Sequence, residues 1–147
     1  MTFWNNKKNW ITSAHNTKWC LVGCAIGDIG TISYFQSIDH DWSAMQVMAL
    51  AMFNGLTTSV ILETFILMRG GFNALSAFKT AMGMSFISMI AMELAMNVTD
   101  IFLTGGAVIT FTALPMMLLA GFLVPWPYNY WRLEKLGKGC CRSSLPD

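Results

Sequence analysis

Cys20-Leu21-Val22-Gly23-Cys24-Ala25-Ile26-Gly27-Asp28 places two thiols and a carboxyl at successive four-residue steps, inside a stretch otherwise apolar enough to cross a bilayer. Residues four apart lie one above another on a helix. Cys20, Cys24, Gly27, Asp28 and Thr31 therefore share one broad helical face. An ionised Asp at the centre of a membrane helix costs on the order of 2.5 to 3.5 kcal/mol on insertion scales, so it turns toward a partner, a cavity or an ion. Gly23 and Gly27 form a small-xxx-small pair, the spacing that lets a second helix backbone approach closely. His15 precedes this stripe, and a helix continued backward carries it well off the face; it joins the site only if the chain bends near Asn16 and Thr17.

Working outward, 54% of the 147 residues are hydrophobic and 12% are charged, the composition of an integral membrane protein. A hydrocarbon core about 30 Å thick needs roughly 20 apolar residues per helix, and four stretches qualify, at about 17–37, 44–68, 74–98 and 102–124. The expected fold is all-α, a four-transmembrane-helix bundle forming a single integral membrane domain over residues 1–147, with a short tail at 125–147. Pro125-Trp126-Pro127 is expected to stop the fourth helix at the interface.

The nine basic residues fall in the amino-terminal segment, the connection between spans two and three, and the tail, whereas the other two connections carry Asp39, His40, Asp41 and Asp100. By the positive-inside rule both termini face the cytoplasm, and the chain is integral to a membrane, expected to be the prokaryotic inner membrane. Trp4, Trp10, Trp19, Trp126, Tyr128, Tyr130 and Trp131 read as anchors at the inner interface and Trp42 at the outer one. The first apolar run starts late, is long and contains Asp28, unlike a cleavable signal peptide. A net charge of +1 implies no nucleic-acid partner. Cys20, Cys24, Cys140 and Cys141 all lie toward the cytoplasmic side on this topology, where thiols stay reduced.

The remaining spans add acids and thioethers. Glu63 lies near the cytoplasmic end of the second, with Arg69 in reach. Met82, Met89, Glu93, Met96, Asn97 and Asp100 fall in one sector of the third at helical period. Cysteines at i and i+4 can share a soft metal, Cu(I) or Zn(II), with Asp28, Glu63 or a tail cysteine completing the shell. The same cysteines beside glycines are also good helix-packing residues. Asp28, Glu63 and Glu93 bind cations or relay protons on one reading, and hold helices together by hydrogen bonds on the other. Twelve methionines supply thioethers for Cu(I) or flexible packing, with Met89 and Met96 the better ligand candidates because they share the face of Glu93. No Walker loop, nucleophile elbow, H-E-x-x-H or dinucleotide fingerprint is present, and no enzyme is expected.

The first-span motif, Met92-Glu93 with Asn97, and Pro127-Tyr128-Asn129-Tyr130-Trp131-Arg132-Leu133 leading to Gly137-Lys138-Gly139 resemble the prokaryotic membrane family called domain of unknown function 4396, from about Asn16 to Gly139. The resemblance implies a small multi-span inner-membrane protein, loosely associated with copper and with no established reaction. Trp19 stands where members often carry histidine, and Ser85 and Met96 stand where acids are expected, which weakens a hard-metal reading and favours a soft one. The leading expectation is therefore a membrane protein that binds or passes Cu(I). Its candidate ligands are Cys20, Cys24, Asp28, Glu63, Met89, Glu93 and Met96, with His15, Asn97 and Asp100 as further polar candidates. The alternatives are an accessory subunit of a homo-oligomer or membrane complex, and a proton-coupled transporter of a small solute.

Overall fold

A computed structural model describes residues 4–136. The described chain is all helical, with α1 at Lys7–Gln36, α2 at Ala44–Arg69, α3 at Ala74–Thr104, α4 at Ala113–Leu123 and α5 at Pro125–Leu136. Helix boundaries follow local chemistry. The Asn6 side chain accepts from Asn9 N and starts α1 ten residues earlier than the apolar run predicts. Ser43 and Gln46 form a reciprocal capping box that starts α2. The Asn73 side chain accepts from Leu75 N at the head of α3.

The third and fourth expected spans are redrawn. No helix breaker follows Asn97, so α3 continues to Thr104 and ends at Gly105, whose φ of 90° is the left-handed conformation glycine adopts at little cost. Residues 105–112 form a loop, and the helix that follows has only 11 residues, about 16 Å, which is shorter than the hydrocarbon core. The expected helix stop at Pro125 is a helix start. The first-turn N–H groups have no intrahelical acceptor in any helix, so Pro125 and Pro127 cost α5 no hydrogen bond. Only Val124, itself in right-handed helical conformation, separates α4 from α5.

Among the described residues two helices are long and apolar enough to cross a membrane: α2 over Ala44–Arg69, and α3 over Ser85–Thr104. α1 packs chiefly on α2, α3 lies against α2 and α4, and α5 folds back along α1. Trp126 Nε1 donates to Trp10 O at 3.3 Å and to Ser13 Oγ at 3.2 Å, and Asn129 Nδ2 donates to buried Thr17 Oγ1 at 2.8 Å. Tyr130 stacks on Trp10 with centroids 4.2 Å apart. The start of α1, the end of α5 and Arg69 thus occupy one end of the bundle, because Arg69 shares a cleft with Ile11, His15 and Trp19. At the other end Gln36, Asp39 and His40 share a cleft with Gly106–Val108.

Polar and apolar groups are distributed inside out. Asp28, Glu63, Glu93 and Asp100 are fully buried, while Phe53, Ile61, Ile87, Phe102 and Phe111 are exposed.

Candidate functional site

The polar stripe of α1 faces α2 and α3. A Cβ on Gly23 would stand 2.6 Å from Ser59 Cα, and one on Gly27 would collide with the Asn54 backbone, so the small-xxx-small pair seats α1 directly on α2. That closeness lets side chains of α2 reach carbonyls of α1. Thr58 Oγ1 donates to Gly23 O at 2.7 Å, and Ser59 Oγ to Cys20 O at 3.2 Å. Asn54 Nδ2 donates to Thr31 Oγ1 at 2.8 Å.

Cys20 and Cys24 are buried, reduced thiols. Cys20 Sγ lies 3.6 Å from Ser59 Oγ, and the Cys24 thiol faces Cys20, Ser59 and the carboxyl of Glu93. Both cysteines belong to one packed cluster with Met89, Met92, Met96 and Met117, all six fully buried. Met96 is seated on Gly121 of α4, where a Cβ would come within 3.0 Å of its sulfur. Other methionines go elsewhere: Met45 is exposed, and Met48 lies against Gly106.

Glu93 reaches from α3 across α2 to α1 through a gap at Gly55, since a Cβ there would collide with Glu93 Oε1 and stand 3.0 Å from Cys24 O. One turn further along α3, Asn97 Nδ2 donates to Glu93 O at 2.9 Å and to Asp28 Oδ1 at 3.4 Å. Asp28 and Glu93 are near enough to repel electrostatically. Asp28 Oδ2 and Asn97 Oδ1 are buried without a hydrogen-bond partner, and the buried Glu93 carboxyl has only the weak Cys24 thiol facing it.

The other candidates disperse. Glu63 is fully buried, but the pairing of Gly23 with Ser59 and of Gly27 with Asn54 runs the helices antiparallel, which carries Glu63 away from Asp28 toward the start of α1. The Arg69 guanidinium lies over the Phe65 ring, 4.9 Å from the centroid. Asp100 ties down the α3–α4 loop, accepting from Thr104 Oγ1 at 2.7 Å and from Val108 N at 3.4 Å. His15 is exposed and off the stripe, as helical continuation predicts, and its Nε2 accepts from Trp19 Nε1 at 3.1 Å. Cys140 and Cys141 lie outside the described residues. Among the described residues no group of three or more His, Cys, Asp or Glu could hold a metal ion, so the set Cys20, Cys24, Asp28 and Glu63 is not assembled as a shell.

Sequence reasoning passed over Gly55 and Ser59, the residues that bring the three helices together. A glycine amid Asn54, Thr57 and Thr58 in an apolar helix was the available signal. No curated protein and no solved structure matches the chain. The helical fold, the α1 stripe and the Glu93–Asn97 pair lie within residues 9–138, over which the chain matches a family model described as Domain of unknown function (DUF4396), and it belongs to that family.

Proposed function

We propose that the chain is a four-span membrane protein that binds or passes a soft transition metal, Cu(I) by its ligand chemistry. α1, α2 and α3 provide three crossings, and α4 with α5 provides the fourth. The inside-out distribution of polar and apolar groups supports a lipid surround, because lipid demands no polar exterior and buried polar side chains hold such helices together. Orientation with both termini inside is supported by the end of the bundle at which the start of α1, Arg69 and the end of α5 meet.

The observation that carries the metal reading is the cluster of two thiols and four thioethers in one buried core. Thiolate and thioether donors select Cu(I) over harder ions. Cys20 and Cys24 are the anchoring ligands, Met89 and Met92 complete the sulfur shell, and Glu93 stands beside Cys24 to receive the proton that a thiol must lose on binding. Met96, held on Gly121, shapes the wall. Asp28 and Glu63 fall outside this shell. The accessory-subunit reading loses its main surface, since the Gly23–Gly27 face is occupied by α2 of the same chain.

The test is copper content of protein purified under reducing conditions with limiting Cu(I). The expected result is about one copper per chain, lost in the Cys20→Ser/Cys24→Ser variant. Equal copper in the two proteins overturns the reading.

A further inference from the structure

We propose that Asp28, Glu93 and Asn97 form a second, oxygen-lined site that takes a hard monovalent cation, with sodium as the probe. The proposal stands on this cluster alone and does not require the sulfur core to bind metal.

Asn97 fixes the geometry. Both hydrogens of its amide nitrogen are used, one on Glu93 O and one on Asp28 Oδ1, so the amide oxygen is held at the same place with nothing donating to it. Asp28 Oδ2 is in the same condition, and the Glu93 carboxyl has only the Cys24 thiol beside it. Asp28 and Glu93 are fully buried, and Asn97 is 4% exposed. Four acceptors thus sit in one interior region with the weak Cys24 thiol as the one donor beside them, an arrangement folded proteins avoid unless something positive completes it. Gly55 makes room on the α2 side: its missing Cβ is the space that Glu93 Oε1 occupies, and Cys24 O lies 3.0 Å from the same point, offering a fifth oxygen.

The donor set chooses the cation. Apart from the Cys24 thiol beside Glu93, the available atoms are oxygens, which suit a hard ion rather than Cu(I). Calcium takes about six to eight oxygens and magnesium keeps several waters. The oxygens here are fewer, and they are buried among α1, α2 and α3. A small ion that sheds its water fits better.

The experiment is thermal unfolding of the full chain in lipid nanodiscs, reduced and treated with chelator, in sodium chloride against choline chloride at equal ionic strength. Sodium is expected to raise the midpoint saturably by about 3 °C or more. That rise is expected to disappear in Asn97→Ala and Glu93→Gln and to persist in Cys20→Ser. Gly55→Ala, which fills the space without removing a ligand, is expected to abolish it too. If the variants do not fold, sodium NMR line broadening on the wild-type chain reads the same site, and broadening that lithium competes away supports it. Identical midpoints in sodium and choline overturn the proposal. So does a midpoint that follows pH but ignores sodium, which would assign the carboxyls a shared proton.

Discussion

Two glycines of α1, Gly27 and Gly30, three positions apart, face opposite fates on substitution. A Cβ at Gly27 meets the Asn54 backbone and Thr58 Oγ1, and a backbone cannot swing aside as a side-chain tip can. Gly27→Ala is expected to destabilise the chain by about 1 to 3 kcal/mol, the usual cost of overpacking. At Gly30 nothing lies within 4 Å of the added carbon, so Gly30→Ala is expected to be neutral or stabilising by up to about 1 kcal/mol, through the lost flexibility of glycine. Unfolding midpoints of the two variants in one detergent check the pair, and equal losses would show that α1 does not sit on α2 through Gly27. This contact was legible in advance, because the four-residue glycine spacing is itself the physical requirement for close approach. The meeting of Glu93 with Cys24 was not. Spacing places a residue on a helix face, but which helix that face meets depends on side chains elsewhere, here on the gap left by Gly55.

At the scale of elements, the loop between α3 and α4 depends on one side chain. Asp100 holds Thr104 Oγ1 and Val108 N, while Gly105, Gly106 and Ala107 take positive φ between them. A buried carboxylate that accepts from both sides of a turn fixes the turn as a cap fixes a helix end. Asp100→Ala is expected to raise amide hydrogen exchange across residues 105–112 at least about tenfold, the size of a lost charge-assisted bond, and to leave the middle of α2 unchanged. Asp100→Asn keeps one acceptor oxygen and should fall between the two; equal exchange in Asp100→Ala and wild type would rule out the tether. The same region shows why element boundaries were harder to read than element existence. Apolar content continues from Ile101 to Leu123, so a hydropathy window merges the end of α3 with α4, whereas the break is made by Gly105-Gly106 and by Asp100. Pro125 misled in the other sense, since proline ends a helix only when its missing N–H was needed.

For the whole molecule, the helical class and membrane-like composition were open to reading because both rest on sums over many residues, and apolar runs of about 20 residues located α1, α2 and α3. The path through a bilayer that we propose rests on the ends of the bundle. Trp10, Trp126 and Tyr130 cluster with the start of α1 at one end, where Lys7, Lys8, Arg69 and Lys135 also lie. Asp39 and His40 meet the 105–112 loop at the other. Lys and Arg resist translocation, so the topology proposed above puts the first end inside. Single cysteines introduced into a Cys140→Ser/Cys141→Ser background test this, because Cys20 and Cys24 are buried and should stay silent toward a membrane-impermeant maleimide. In intact cells His40→Cys and Phe111→Cys are expected to label, Phe111 being almost fully exposed at 99%. Asn5→Cys and Lys135→Cys should label only after the membrane is opened. Labelling of Lys135→Cys in intact cells, with Asn5→Cys protected, would leave α4 and α5 short of a full crossing and reduce the bundle to three spans.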